Sequence, residues 1–148
     1  MGRQGSAGVP AWAVEMLRTA RVGRLATADA SGQPLVVPVC YVWEGARLYS
    51  AVDAKPKRTR ELRRLRNVAE NPRVSLVVDV WDEDWSRLAW VVVEGTATVV
   101  TDRGERGRAL EALVAKYAQY AVMELAVTAG DVIAITPARV LAWRATEG

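Results

Sequence analysis

Histidine is absent from this chain of 148 residues, and cysteine occurs once, at Cys40. Without histidine the chain cannot assemble a Ser-His-Asp or Cys-His catalytic set, and it has no imidazole to ligate a metal. A single cysteine excludes an internal disulfide and thiolate-held zinc or iron–sulfur sites. We interpret Cys40 as a small buried hydrophobic residue, since nothing near it in sequence would activate a thiol. If the protein is an enzyme, a bound cofactor is expected to carry the reaction.

Long apolar runs are also lacking. None approaches the ~20 residues that a membrane-spanning helix needs, and the basic start is not followed by the apolar core of a secretory signal. We therefore expect a cytoplasmic protein that does not associate with membranes, in agreement with its low cysteine content. Apolar residues make up 51% of the chain, enough for the core of one domain. We expect a disordered tail over residues 1–10 and a single domain over residues 11–148.

The hydrophobic patterning predicts an α+β chain that is mainly β. Apolar, β-branched segments predict strands at 24–28, 34–43, 48–52, 73–80, 91–100, 132–135 and 139–144. Helical spacing predicts helices at 12–21, 59–69 and 108–123. Pro38 indicates an edge strand or a bulge, and Thr136 with Pro137 is expected to break the last strand. About six strands with helices between them favour a small, closed or nearly closed antiparallel barrel.

A basic loop joins the strand at 48–52 to the helix that begins at Thr59. The segment 55–66 holds seven basic residues and one acid, a local charge of +6, which leaves −3 for the rest of a chain whose net charge is +3. The free N–H groups of a helix's first turn bind anions, and Lys or Arg adds charge-assisted hydrogen bonds. A strand, a basic loop and a helix start in this order therefore predict a phosphate site, and a bound phosphate is usually part of a cofactor.

Five sequence motifs occur together over residues 12–144. They are Arg-Leu-Ala-Thr-Ala-Asp-Ala-Ser-Gly-Gln-Pro at 24–34, Val-Val-Pro-Val at 36–39, Lys-Pro-Lys-Arg-Thr at 55–59, Asn-Pro-Arg-Val-Ser-Leu at 71–76 and Lys-Tyr-Ala-Gln-Tyr at 116–120. In this order and spacing the chain resembles the FMN- and F420-binding split β-barrels, the pyridoxamine-phosphate-oxidase-like superfamily. The basic loop and the Trp-rich acidic loop at 81–85 look most like its actinobacterial F420-dependent branch. Ala118 departs from the family, which often has proline between the two tyrosines.

The resemblance implies a six-stranded antiparallel split β-barrel with flanking helices that forms a homodimer, with two cofactor sites at the subunit interface. It implies that the loop after the third strand binds the cofactor phosphate, through Lys57, Arg58 and Thr59 first and through Lys55 and Arg60 beside them. The flat ring would lie against the strand that contains Val36, Val37, Pro38 and Val39. Ser50 and Ala51 would line the side chain of the ring, and the partner chain would close the site.

Several of these residues have a plainer interpretation. Trp81 and Trp85 would either stack over the ring from the partner chain or pack in the dimer interface. The arginines at 63, 64 and 66 would meet an extended anionic tail or, as we favour, form a solvated helix face. The acidic residues at 82–84 are expected to form a solvated loop with no metal. Tyr117 and Tyr120 are expected in the core or an interface and not as proton donors.

The function expected from the resemblance is that of an F420-dependent oxidoreductase, which transfers a hydride from the reduced deazaflavin to a small electrophilic substrate. An FMN-dependent oxidoreductase of the same fold is the first alternative, and a non-catalytic flavin- or deazaflavin-binding protein is the second. Haem binding is disfavoured because no histidine is present to serve as an axial ligand. Nucleic-acid binding is disfavoured because the basic segment lacks interleaved aromatic residues.

Overall fold

The computed structural model describes residues 2–4, 8–53, 59–125 and 129–146, with the backbone alone described at 2–4, 53 and 59–62. Eight strands lie in this part of the chain: β1 Gly2–Gln4, β2 Gly23–Ala28, β3 Pro34–Val39, β4 Val42–Glu44, β5 Arg47–Asp53, β6 Arg73–Val80, β7 Ala89–Val99 and β8 Ala129–Arg144. The helices are α1 Ala11–Thr19, α2 Thr59–Glu70, α3 Arg103–Lys116 and α4 Ala118–Val122, and a 3₁₀ turn covers Trp85–Arg87.

The strands form one antiparallel sheet in the order β3-β2-β6-β7-β8-β5-β4. The long β8 pairs with β7 on one side, and on the other side with β5 through its first half and with β1 through its second. This arrangement confirms the mainly β fold with flanking helices. The sheet has eight strands where six were predicted, since one predicted strand is divided and β1 lies ahead of α1. The division of the chain into a tail and a domain stays a prediction.

The predicted strand 34–43 is interrupted at Cys40 and Tyr41, which separate β3 from β4. Because β3 and β4 lie at opposite ends of the strand order, the chain crosses between the two ends of the sheet at these two residues. Tyr41 is fully buried at the crossing, and its hydroxyl donates to the carbonyl oxygen of Leu17 in α1. Pro38 lies on the edge strand β3, as its missing N–H predicts.

The break predicted at Thr136 and Pro137 is wrong, because β8 continues from Ala129 to Arg144. A bulge accommodates the proline: the register of the pairing between β8 and β7 shifts between Glu94 and Gly95. At the shift the two backbones approach so closely that a Cβ on Gly95 would lie 2.1 Å from the carbonyl oxygen of Thr136. Only glycine fits there.

The predicted helix 108–123 is two helices. The first, α3, begins five residues earlier than predicted, at Arg103, because the Asp102 carboxylate caps it by accepting the backbone N–H of Glu105 at 2.8 Å. It ends at Lys116, the backbone of Tyr117 is extended, and α4 follows at Ala118. The extended residue turns the chain so that α4 lies beside the β3–β4 crossing.

Two hydrophobic clusters form the core. One lies between the sheet and α1 and includes Leu17, Leu25, Leu76, Val93 and Ile135. The other lies beneath α3 and includes Tyr49, Leu110, Leu113, Tyr117 and Val132. Across the described ranges, no helix is both long and apolar enough to cross a membrane.

Candidate functional site

A cavity of about 260 Å³ lies between the end of β3, β5, α2 and α4. Four residues predicted for the cofactor site line it: Pro38, Val39, Ser50 and Ala51. In the described pairing β3 and β5 are not hydrogen-bonded to each other, and they reach the same cavity because the chain crosses the sheet at Cys40 and Tyr41. The structure therefore places the end of the strand predicted to bind the ring, and the residues Ser50 and Ala51 predicted to line its side chain, around one cavity.

Val36 and Val37 do not line this cavity. Val36 is 62% exposed and pairs with Ala26 on the outward face of the sheet, whereas Val37 packs against the first core cluster. Strand alternation accounts for the difference, because successive side chains point to opposite faces. The outward position of Val36 makes it available to a second chain and not to the cavity of its own.

Trp81 and Trp85 lie in the loop between β6 and β7 and are 64% and 67% exposed. Neither lines the cavity of its own chain. Their predicted stacking on a cofactor from a partner chain stays a prediction, as does the alternative of dimer packing.

The predicted phosphate loop is described only at its end. Lys55, Lys57 and Arg58 lie outside the described residues. Thr59 and Arg60 open α2, as predicted, with the backbone alone described. Their assignment to the phosphate stays a prediction.

Arg64 is a residue of the site for which the sequence analysis favoured the wrong one of two alternatives. It was assigned to a solvated helix face, and this is wrong, because it is 8% exposed and lines the cavity. It shares the buried side of α2 with Asn67, whose amide donates to the buried Thr27 hydroxyl at 3.0 Å, and with Val68. The signal was present, since Arg64 precedes those two by three and four positions, the spacing of one helix face. Arg66 is exposed, as predicted.

Tyr120 of α4 forms another part of the cavity wall, next to Cys40. Its ring packs edge-on against Tyr117, with centroids 5.6 Å apart. Burial raises the pKa of Tyr120, the Cys40 thiol beside it raises that pKa further, and the charge of Arg64 opposes the shift. The phenol is therefore neutral at physiological pH and keeps its proton as a hydrogen-bond donor. Cys40 packs against the second core cluster, but it is half-buried and lines the cavity, where full burial was expected.

Tyr117 is a core residue, as expected. Its hydroxyl accepts the backbone N–H of Tyr41 at 3.2 Å and lies 3.1 Å from the carbonyl oxygen of Arg21. Beside it, the Lys116 ammonium donates to the carbonyl oxygen of Tyr41 at 2.9 Å. Burial, and then the nearby charge of Arg21, lowers the pKa of Lys116 to about 8. These contacts fasten the end of α3 to the β3–β4 crossing.

The acidic loop is held by its own turn. The Asp84 carboxylate accepts the backbone N–H and the hydroxyl of Ser86 at 3.1 and 2.7 Å. The half-buried Asp82 accepts the backbone N–H of Asp84 at 2.7 Å, and Glu83 is exposed. Hydrogen bonds from Ser86 lower the pKa of Asp84. Among the described residues, no group of three or more acidic or cysteine side chains is placed to hold a metal ion.

The sequence profile of the pyridoxamine 5'-phosphate oxidase family matches residues 10–144, which is most of the chain. The protein belongs to the pyridoxamine 5'-phosphate oxidase family. This confirms the resemblance to the pyridoxamine-phosphate-oxidase-like superfamily and agrees with the split-barrel sheet, whereas the F420-dependent branch stays a prediction.

The chain is similar to a curated protein, the 5a,11a-dehydrotetracycline/5a,11a-dehydrooxytetracycline reductase of Streptomyces rimosus, at 35% identity over 96 residues. The match covers 64% of this chain and 66% of that reductase, somewhat less than two thirds of either. A solved FAD-binding protein of Mesorhizobium loti is 26% identical, with a TM-score of 0.67 and 95% of both chains covered. A conserved hypothetical protein of Mycobacterium tuberculosis shares the fold at 22% identity and a TM-score of 0.71, over 93% of this chain and 85% of that one.

Proposed function

We propose that the protein is an oxidoreductase that uses a flavin-type cofactor, with F420 as the cofactor and FMN as the alternative. One observation carries the proposal: a single cavity joins the predicted ring strand at Pro38 and Val39 to a buried cation, Arg64. An apolar wall with a fixed positive charge suits a flat ring attached to a phosphate. Membership of the family, the curated reductase and the FAD-binding structural relative support the same assignment.

The described residues of the cavity have the chemical groups that such a cofactor would need. The guanidinium of Arg64 and the hydroxyl of Ser50 would hold the phosphate and its linker, and Pro38 with Val39 offers the apolar strand for the ring. The volume of about 260 Å³ lies just below the 300–1,000 Å³ typical of pockets for drug-sized ligands. One chain therefore encloses part of the cofactor, and a second chain would enclose the rest.

The proposed second chain is another copy of this protein, docked on the outward face of the sheet. This outward face contains half-buried apolar residues from three neighbouring strands, namely Val77, Trp90, Val92, Leu141 and Trp143, together with the exposed Val36. Two ion pairs lie on the same face, Arg24 with Asp79 at 3.0 Å and Arg139 with Glu94 at 2.8 Å. A homodimer would bury this surface and bring Trp81 and Trp85 near the partner.

The bound reduced cofactor would supply a hydride to a small electrophilic substrate, such as an activated alkene, an imine or a quinone. The chain would orient the cofactor through the cavity wall and exclude water from it. The Streptomyces rimosus relative is named for the reduction of a dehydrotetracycline. That name supports an activated alkene as the first substrate class to screen.

Titration of the purified apoprotein with F420 and, separately, with FMN tests the proposal, with cofactor fluorescence as the signal. Tight binding of F420 with weak binding of FMN supports the deazaflavin assignment, and the reverse supports FMN. If neither binds, the proposed function is wrong. Steady-state turnover with the reduced cofactor then separates an oxidoreductase from a protein that binds a flavin or deazaflavin without catalysis.

A further inference from the structure

We propose that the outward face of the sheet binds a small aromatic carboxylate in a cavity separate from the proposed cofactor site. This outer cavity has a volume of about 690 Å³, within the range of about 300–1,000 Å³ typical of small-molecule pockets. Its wall is formed by β2, β6, β7 and β8 together with the start of β3. Of the described residues, none lines both this cavity and the one of about 260 Å³.

The strand register brings the polar side chains of the outer cavity onto one face. Ser75 lies opposite Glu94, and Glu94 lies opposite Arg139, so these three form a row across β6, β7 and β8. Arg73 lies opposite Thr96 in the neighbouring row. Directly opposed residues of adjacent strands point to the same face, as do alternate residues of one strand. All five residues therefore line the same cavity.

Three hydrogen-bond donors of this group are not used within the protein. In the described part of the chain, no group forms a hydrogen bond or an ion pair with the Arg73 guanidinium, the Ser75 hydroxyl or the Thr96 hydroxyl. Strand geometry separates the Cα atoms of Ser75 and Arg73 by about 7 Å and those of Thr96 and Arg73 by about 5 Å. The three side chains are therefore close enough to donate to the oxygens of one carboxylate.

The charges of the wall favour a ligand with a single negative charge. Two arginines and one glutamate line the cavity, a net charge of +1. Arg139 donates to the Glu94 carboxylate at 2.8 Å, so those two charges offset each other and Arg73 provides the excess. The buried Nε of Arg139 has no hydrogen-bond partner among the described residues, and such a donor is normally satisfied by a ligand or by water. A phosphate monoester, with up to two negative charges, would be repelled more strongly by Glu94 than a carboxylate.

The rest of the wall is apolar, and its side chains are short. Ala26 and Ala28 come from β2, Pro34 from β3 and Ala138 from β8. These residues leave a shallow apolar floor beside the three donors. A planar ring that carries one carboxylate fits both parts of the cavity, because the ring would cover the floor while its carboxylate meets Arg73.

The proposed dimer face adjoins the outer cavity. Its tryptophans lie at the other end, since Trp90 precedes Glu94 by four residues of β7, about 13 Å. Val36 of the same face lies opposite Ala26 at the cavity wall. A second copy docked on the tryptophan end would therefore border the cavity and leave its floor to the ligand.

The test measures the dissociation constants of naphthoate and of the neutral naphthamide by isothermal titration calorimetry, with apoprotein throughout. Arg73→Gln is compared with Arg103→Gln, an exposed arginine of α3 that does not line the cavity. We expect Arg73→Gln to weaken naphthoate by about 10-fold, the lower end for a hydrogen bond to a charged group because Arg73 is exposed. Naphthamide should weaken by less than about 2-fold, and Arg103→Gln should change neither probe by more than that.

A second pair of variants locates the site. Ala26→Leu places a larger side chain on the cavity floor and should weaken both probes, whereas Ala30→Leu, in the exposed turn after β2, should weaken neither. Melting temperatures confirm that all four variants are folded. Naphthyl phosphate is titrated in addition and should bind the unmodified protein more weakly than naphthoate.

Equal affinity of the unmodified protein for naphthoate and naphthamide would overturn the inference, because no cation would then recognise the carboxylate. Tighter binding of naphthyl phosphate would overturn it too and assign the site to phosphate. Retained binding in Ala26→Leu would place the site elsewhere, and binding of no probe would leave the second copy as the occupant of the cavity. None of these results depends on a cofactor, so failure of the F420 and FMN titrations and failure of this inference are separate outcomes.

Discussion

The hydroxyl of Tyr117 lies 3.2 Å from both the backbone nitrogen and the backbone oxygen of Tyr41. This contact joins the end of α3 to the crossing between β3 and β4, one residue from the cavity wall at Cys40. The shape of the cavity therefore depends on a buried hydrogen bond outside it.

Tyr117→Phe should lower the free energy of unfolding by about 1–3 kcal/mol, because the buried N–H of Tyr41 loses its acceptor. Chemical denaturation measures the change. Tyr120→Phe is the control, since the Tyr120 hydroxyl does not bind this backbone. If the two variants lost the same stability, the contact with Tyr41 would not be the cause.

Gly95→Ala should be strongly destabilising, by more than about 3 kcal/mol, because its Cβ would meet the Thr136 carbonyl oxygen at 2.1 Å and the backbone must move. Gly107→Ala is the matched control: its Cβ would meet nothing within 4 Å, and it lies inside α3. There alanine should stabilise by about 0.5–1 kcal/mol. Thermal unfolding of both variants checks the opposite signs, and a small effect at Gly95 would contradict the close approach.

Lys116→Met should change how stability depends on pH. The folded protein binds the Lys116 proton more weakly than the unfolded chain, with a pKa of about 8 against 10.5. Below pH 8 both the folded and the unfolded state carry the proton, so burying the Lys116 charge destabilises the folded state. The cation–π contact of the Lys116 ammonium with the Tyr41 ring, at 4.1 Å, offsets part of this destabilisation. Between pH 8 and 10.5 only the unfolded chain keeps it, so this residue makes stability rise.

The measurement is the difference in unfolding free energy between the unmodified protein and Lys116→Met, since the tyrosines titrate alike in both. The unmodified protein should gain stability relative to the variant from pH 8 toward pH 10. A constant difference over that interval would show that Lys116 is not buried as described.

Val36→Asp should weaken the proposed homodimer, because it places a charge on the outward face of the sheet. Val122→Asp is the matched control, a valine that is 77% exposed on α4 and away from that face. Size-exclusion chromatography with light scattering should give a dimer for the unmodified protein and Val122→Asp, and a monomer for Val36→Asp. A dimer in all three would place the interface elsewhere.

The sequence predicted those features that rest on local patterns. The alternation of apolar and polar residues predicted β6 with the ends that the structure has. The helix α2 ends at Glu70, just before Asn71 and Pro72 and one residue beyond the predicted end. It could not predict that β8 continues through Pro137, because the bulge depends on a glycine in β7, about forty residues earlier. The motifs led to Pro38, Val39, Ser50 and Ala51, but not to the cavity roles of Arg64 and Tyr120. Those roles depend on how α2 and α4 pack, which charge and hydropathy alone do not reveal.

The most direct test of the central claim compares Arg64→Gln with Arg66→Gln in the titration with F420 and FMN. Both variants remove one positive charge from α2, but only Arg64 lines the cavity, whereas Arg66 is exposed. If the cavity holds a phosphate-bearing cofactor, Arg64→Gln should weaken binding by at least about 10-fold and Arg66→Gln by less than about 2-fold. Equal effects of the two variants, with both folded, would contradict the claim that this cavity is the cofactor site.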